Sequence, residues 1–322
     1  MILQDKHSVS SGLSIVIPVY RSETTILPLV DRILSVTTHI KNNCEIILVN
    51  DGSPDNSWNA ITIMAKKHSE VRGIDLMRNY GQHNALLVGI RAARYAIIAT
   101  LDDDLQNPPE ALMDMIKKLE EGFDVVYGTP NVEQHGFFRD AASRITKIAL
   151  QSAMGAKNAR SVSAFRVFRT TVRDSFKHYN SSFVSIDVLL TWGTTRFTSI
   201  SVKHDRRLVG TSNYDVYKLI NHAINMITGF STVPLQIASI LGFALTLFGI
   251  GIFIFVIGRY FLIGGSIPGF PFLASIIAIF SGAQMFSLGI IGEYLARMHF
   301  RSMGKPFAAI RQEISSFSNE HE

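Results

Sequence analysis

The chain has 322 residues, 47% of them hydrophobic, with a net charge of +5 and a single cysteine, and its mean hydropathy is +0.20. That length holds one α/β domain of ordinary size with something smaller beside it. The lone Cys44 excludes an internal disulfide and a cysteine zinc site and sits comfortably in a reducing compartment. The basic balance suits an anionic partner such as phospholipid or a phosphorylated substrate. Nucleic acid is not expected, because the chain has no basic run interleaved with aromatics and no zinc or helix-turn-helix signature.

Met1 to Gly12 lacks an apolar h-region, so no signal peptide is expected. Leu13 to Val19 is a short apolar β-type run ending in Pro18-Val19-Tyr20, and Ile26, Leu29, Val30 and Ile33 then share one helical stripe. The pattern next predicts a strand over Glu45–Val49, a helix over Ser57–His68, a strand over Gly73–Met77 and a helix over Ala85–Tyr95. A short buried-type strand, Ala96–Ala99, a helix over Glu110–Glu121 and a strand over Asp124–Tyr127 complete this half. Strands alternating with helices predict a parallel, Rossmann-like sheet with right-handed crossovers.

Thr100 to Glu110 reads T-L-D-D-D-L-Q-N-P-P-E and is the most informative segment. It sets three carboxylates at the carboxyl end of a buried strand, where open α/β sheets collect ligands. Crowded carboxylates repel one another unless a cation sits among them, and hard oxygen donors suit Mg²⁺ or Mn²⁺. On extended backbone Asp102 and Asp104 point one way and Asp103 the other. An isolated D-x-D is better read as a solvated acidic loop; the strand before this one and the Asn107-Pro108-Pro109 turn after it favour a metal–phosphate site. Asn50-Asp51-Gly52-Ser53 ends another strand expected to face the same crevice; alone, Asp51-Gly52 is better read as a plain turn, while at a crevice Asp51 could accept from a nucleobase or ribose. Neither a G-x-G-x-x-G nor a G-x-x-x-x-G-K-[ST] motif is present, which argues against a dinucleotide oxidoreductase or a P-loop NTPase.

The set V-I-P-V-Y, V-N-D-G-S, R-N-Y-G-Q-H and D-D-D-L-Q-N-P-P-E, in this order, resembles the second family of inverting nucleotide-sugar glycosyltransferases. Within it the chain looks like the polyprenyl-phosphate glycosyltransferases, both the bactoprenyl (undecaprenyl) phosphate sugar transferases and dolichyl-phosphate mannose synthase, over about Ser14 to about Pro306. The resemblance implies a GT-A fold. It implies that Pro18, Tyr20, Asp51, Arg78, Asp102 and Asp103 hold the nucleotide, Asp103 through its backbone, and that Asp102, Asp104 and Gln106 surround a metal, with Asp104 catalytic. Asn79, Gly81, Gln82 and His83 match a loop near the sugar-nucleotide, although a single histidine is more often structural.

Arg139, Ser143 and Lys147 recur at four-residue spacing with Arg144 beside them, either a solvated helical face or a grip on a lipid phosphate. The resemblance favours the grip. It also implies that Arg166, in Ser163-Ala164-Phe165-Arg166, is a phosphate ligand, that Arg207 lies in a loop running through Gly210 and Ser212 to Asn213-Tyr214 that closes over pyrophosphate and acceptor, and that both are catalytic alongside Asp104. The chain departs from the family pattern at Arg21, Pro130, Ala164 and Asn213. Ala164 removes a carboxylate that many bacterial relatives carry. Asp187 is the best remaining acid, and a surface carboxylate on a helix is its expected role.

Tyr214 to Phe230 is a mixed helical stretch suited to the membrane interface or to a packed surface. From Leu235 to Gly292 the only charge is Arg259. Leu235–Ile263 and Phe272–Leu295 are read as a transmembrane hairpin. Arg297, Arg301, Lys305 and Arg311 follow it, so the positive-inside rule puts the turn outside and both flanking parts in the cytosol. Glu293 pairs with Arg297 at i+4 in a structural role.

The expected organisation is a cytosolic GT-A domain over 1–213, a juxtamembrane amphipathic helix over 214–233, two transmembrane helices over 234–296 and a cytosolic tail over 297–322. The expected activity is metal-dependent, inverting transfer of a sugar from a nucleotide sugar, UDP-linked by preference, to a polyprenyl phosphate at the inner membrane. A homo-oligomer is compatible with this. A processive polysaccharide synthase would need a Q-x-x-R-W motif and more spans. A non-catalytic nucleotide-sugar-binding subunit of a membrane glycan-assembly complex is the alternative of another class.

Overall fold

The computed structural model describes residues 10–38, 43–130, 162–181, 184–203, 233–263 and 269–316. Its frame is an eight-stranded sheet. In chain order the elements are β1 (Ser10–Val19), α1 (Ile26–Thr37), β2 (Asn43–Asn50), α2 (Ser57–Lys67), β3 (Val71–Leu76), α3 (Gln82–Ala92), β4 (Tyr95–Thr100), α4 (Leu112–Glu120) and β5 (Val125–Pro130). There follow β6 (Arg166–Arg169), α5 (Thr170–Arg173), α6 (Ile186–Gly193), β7 (Phe197–Val202), α7 (Val233–Ile263), α8 (Phe270–Ser302) and β8 (Ile310–Ser315). The strand order is β7-β5-β6-β4-β1-β2-β3-β8.

β1 is central, and its last eight residues are all buried. Alternation along it feeds two cores. Ile15, Ile17 and Val19 face residues of α1, α2 and α4, whereas Val16 joins Ile47 and Val49 against α3 and α6. A sheet covered on both faces needs apolar residues at successive positions, which is how S-I-V-I-P-V reads.

The sheet is mixed rather than wholly parallel. β1, β2, β3 and β4 run parallel as expected, but β6 runs antiparallel between β4 and β5, and β8 runs antiparallel along β3. Both insertions come from far along the chain, so local alternation of strands and helices carries no signal for them. The segment read as a tail thus contributes a strand, which covers the edge that β3 would otherwise expose.

The geometry of β1 also opens the crevice. Its ladder with β4 ends at Val16↔Thr100, followed by one bond from Leu101 N–H to Val16 O at 3.2 Å, while the ladder with β2 continues to Val19↔Asn50. Pro18 shares the parity of Val16, so its missing N–H faces a strand that has already diverged and deletes no ladder bond. The split between β4 and β1–β2 is a topological switch point.

Beyond the sheet, α7 and α8 pack against each other. Among the described residues one helix, over Val233–Leu262, is long and apolar enough to cross a membrane, and none of its most apolar window is buried inside the chain. Glu293 and Arg297 on α8 form the expected i,i+4 pair, 2.7 Å apart.

Candidate active site

Three loops meet at the switch point. After β1, Tyr20 N–H donates to Asp103 Oδ2 at 3.1 Å, and Ser22 Oγ donates to the same oxygen. Arg21 takes a left-handed backbone, φ 59°; its N–H donates to Ser53 Oγ at 3.2 Å, and its guanidinium lies 5.5 Å from the Tyr20 ring centroid. The Tyr20 ring is exposed.

After β2, Asp51 is 3% exposed. Its two carboxylate oxygens accept from Tyr80 N–H at 2.7 Å and Gly81 N–H at 2.8 Å. Burial raises the Asp51 carboxyl above its ordinary range, against the lowering effect of those two bonds. Asp51 therefore pins the 78–81 loop, a task the sequence did not disclose. Gly52 makes the approach feasible: its φ is +61°, and a Cβ there would lie 2.4 Å from the Arg78 carbonyl carbon. Arg78 stacks over the Tyr80 ring, 4.7 Å from the centroid.

After β4 comes the acidic triplet. Asp102 Oδ1 accepts from Gln82 Nε2 at 2.7 Å. Burial first, then the charges of Asp104 and Asp103, push the Asp102 carboxyl up to about 7, although Arg166 and Gln82 pull it down. Asp103 is also raised by burial, opposed by its bonds from Ser22 and Tyr20. Asp104 Oδ1 accepts from Gln106 N–H at 3.1 Å. Between them Leu105 has φ 63° yet is 7% exposed and part of the core. A buried leucine in the left-handed region is strained, and such strain concentrates at functional sites.

Asp103 takes partners different from those of Asp102 and Asp104, and strand alternation is not the reason. β4 ends at Thr100, so the triplet lies in a turn, and the bonds to Tyr20 and Ser22 orient Asp103. Among the described residues no three carboxylate, imidazole or thiolate side chains converge as a ready metal cluster. The oxygen donors available are Asp102, Asp104 and Gln106. Their oxygen-donor chemistry fits a hard cation.

The floor of the crevice corrects two expectations. Arg166, expected to grip an acceptor phosphate, is 2% exposed. Its Nη1 donates to Asp187 Oδ1 at 2.6 Å and its Nε to Ala164 O at 3.3 Å. Asp187, expected on a helix surface, is buried at the start of α6 and also accepts from Tyr127 OH at 3.1 Å. Burial and then the Asp187 charge hold the Tyr127 phenol well above its ordinary range. The Arg166 guanidinium is thus neutralised by Asp187 beneath the site. Thr100 Oγ1 donates to Ala164 O at 2.8 Å, tying β4 to this floor. His83 Nδ1 accepts from Ile186 N–H at 3.4 Å, a structural use. Arg139, Ser143, Arg144, Arg207 and Ser212 lie outside the described residues, as do Lys147, Gly210, Asn213 and the 214–230 stretch.

A carboxylate-lined crevice at the switch point of a mixed α/β sheet is the arrangement of a GT-A-like glycosyltransferase domain. Residues 14–179 match the family model described as glycosyl transferase family 2, and the chain belongs to that family. It is 32% identical over 312 residues to an undecaprenyl-phosphate 4-deoxy-4-formamido-L-arabinose transferase of Yersinia pestis (strain Pestoides F), covering 96% of this chain and 95% of that one. The same values hold for the protein of that name from Yersinia pseudotuberculosis serotype O:3. Among solved structures, a glucosyl-3-phosphoglycerate synthase from Mycobacterium tuberculosis in complex with Mn²⁺, UDP and phosphoglyceric acid superposes with TM-score 0.51. It is 16% identical and covers 69% of this chain and 77% of that one. That likeness concerns the fold. The long, exposed and apolar α7, in a relative of undecaprenyl-phosphate transferases, marks a membrane protein.

Proposed function

We propose that the chain transfers a sugar from a nucleotide sugar, UDP-linked by preference, to undecaprenyl phosphate at the cytosolic face of the inner membrane, with inversion at the anomeric carbon. The observation that carries this is the end-to-end match to undecaprenyl-phosphate sugar transferases, together with an acidic loop at the switch point. Tyr20, Arg78 and the Asp103 backbone line the nucleotide's place, and Asp51 and Asp103 hold the loops that form it. Asp102, Asp104 and Gln106 would hold Mg²⁺ or Mn²⁺, which when bound offsets the charge of the diphosphate.

The nucleophile is a phosphate oxygen of the lipid. A phosphate monoester has its second pKa near ~6 and is mostly dianionic at neutral pH, so it needs orientation and charge balance more than a base. Asp187 is poorly placed for a base, being buried between Arg166 and Tyr127. Arg139, Ser143, Arg144, Arg207 and Ser212 remain the proposed phosphate grip, by resemblance. Both α7 and α8 are proposed to span the membrane, with the 264–268 turn outside. Labelling of a cysteine placed at Ser266 from the outer face tests this, and protection there reverses the orientation.

The deciding experiment reconstitutes the full chain in nanodiscs with undecaprenyl phosphate and a panel of nucleotide sugars, with Mg²⁺, Mn²⁺ or a chelator. Cation-dependent formation of a lipid-phosphate sugar is the expected result. Nucleotide-sugar binding without any lipid-linked product across the panel would instead assign a non-catalytic subunit.

A further inference from the structure

β8 begins at Ile310, far beyond residue 179, where the family domain ends, yet it reaches the nucleotide crevice. Ala309 O accepts from Met77 N–H at 2.9 Å, and Arg311 Nη2 donates to Met77 O at 3.0 Å. Met77 immediately precedes Arg78, and Asp51 pins Tyr80 and Gly81 on the other side. The loop that carries Arg78 is therefore clamped at both ends, by Asp51 within the family domain and by the tail strand beyond it.

A second branch leaves the same guanidinium. Arg311 Nη1 lies 3.5 Å from Asp75 Oδ2, and the Asp75 side chain is buried. Asp75 Oδ1 accepts from Asn50 Nδ2 at 2.7 Å. Asn50 Oδ1 accepts from Ser53 N–H at 3.3 Å, and Ser53 Oγ accepts from Arg21 N–H at 3.2 Å. A continuous polar chain thus runs from the tail strand to the left-handed residue beside Tyr20. The connector from α8 is anchored as well, with Phe307 stacked on the Arg91 guanidinium at 4.6 Å.

From this geometry we infer that Arg311 is a positioning residue for the nucleotide sugar: it sets the Arg78 loop through Met77 O, and the Arg21 turn through Asp75 and Asn50. The inference rests on the proposed reading that the nucleotide occupies this crevice. It requires Arg rather than Lys, because a planar fork serves two acceptors at once where an ammonium is a point donor.

The test uses the full chain in nanodiscs, with separate KM values for nucleotide sugar and lipid phosphate. Arg311→Ala should raise the nucleotide-sugar KM about fivefold, as loss of one coupling of ordinary size does, and leave the lipid KM unchanged. Arg311→Lys should fall between, and it carries the test if the alanine variant does not fold. On an Asp75→Asn background the effect of Arg311→Ala should shrink, since both act through one path. Glu313→Ala, which removes only the 3.8 Å contact of the same strand with Arg72, should leave both KM values unchanged. Tyr20→Ala separates the two readings. If Tyr20→Ala raises the nucleotide KM and Arg311→Ala does not, Arg311 has no positioning role. If neither moves it, the crevice is not the nucleotide site and the inference falls with it. A drop in thermal stability from Arg311→Ala with no change in KM would also overturn it, because a merely structural strand does that.

Discussion

Replacing Asp187 distinguishes a base from a buried counter-ion. Its carboxylate lies 2.6 Å from Arg166, with the two side chains 8% and 2% exposed, and it accepts from Tyr127 as well. Removing one partner of a buried pair leaves the other charge uncompensated and costs about 3–5 kcal/mol. For a domain of this size that corresponds to a fall in Tm of roughly 10 °C. Asp187→Ala should show the full loss, and Asp187→Asn less, since its amide oxygen can still accept from Arg166. The assay is thermal unfolding of the full chain in detergent, paired with turnover per folded molecule. Turnover per folded molecule should survive in Asp187→Asn, and Arg166→Met with Asp187→Leu should recover most of the stability, because well-packed apolar pairs can replace buried ion pairs. An unchanged Tm with abolished turnover in Asp187→Asn would refute this reasoning and make Asp187 the base.

Asp104→Asn should remove most turnover, whereas Asp103→Asn should raise the nucleotide-sugar KM, because Asp103 holds Tyr20 N–H and Ser22; equal, mild effects from steady-state kinetics would sink both assignments. In chelator the parent chain should lose stability as pH rises from about 4, the unfolded carboxylate value, toward 7. The folded Asp102 carboxyl sits at about 7 and so holds its proton more tightly than the unfolded chain does. Asp102→Asn should abolish that contribution, and a parent Tm flat across this window refutes it. The Cys44 thiol, pushed up to about 12 by burial and by Glu45 and Glu70 against a hydrogen bond with Thr37, should resist alkylation at pH 8. Its rate should be roughly 30-fold or more below that of the denatured chain, and equal rates in a labelling time course would contradict it.

Much of the fold was legible because it is written in local periods. The stripe Ile26, Leu29, Val30, Ile33 is the buried face of α1, and the β1 to β4 strands fall within a few residues of their expected bounds. What escaped depends on distant pairing. β6 is four residues long and becomes a strand only between β4 and β5. β8 is mostly exposed, as an edge strand is; Ile310 and Ile314 at even spacing around Arg311 and Glu313 were its one signal, hidden by reading Arg311 as a cytosolic charge. Asp187 followed the same logic: a lone acid in an apolar run reads as surface, and only the arrival of Arg166 on the neighbouring strand makes its burial tolerable.

Asp102, Asp103 and Asp104 crowd one turn, and Asp51 lies buried across from them. Arg166, the guanidinium beneath, is already balanced by Asp187. A nucleoside diphosphate brings further negative charge into a region where solvent screens poorly, so repulsion would dominate without cations at the site. Arg21 and Arg78 sit on these loops, and each is stacked on a tyrosine. Two rim arginines can steer and hold a nucleotide. The crowding of these carboxylates supports the divalent cation proposed at Asp102, Asp104 and Gln106. The lipid phosphate, a dianion, must be brought in-line with a leaving group of the same sign, which is the charge balance proposed for Arg139, Arg144 and Arg207.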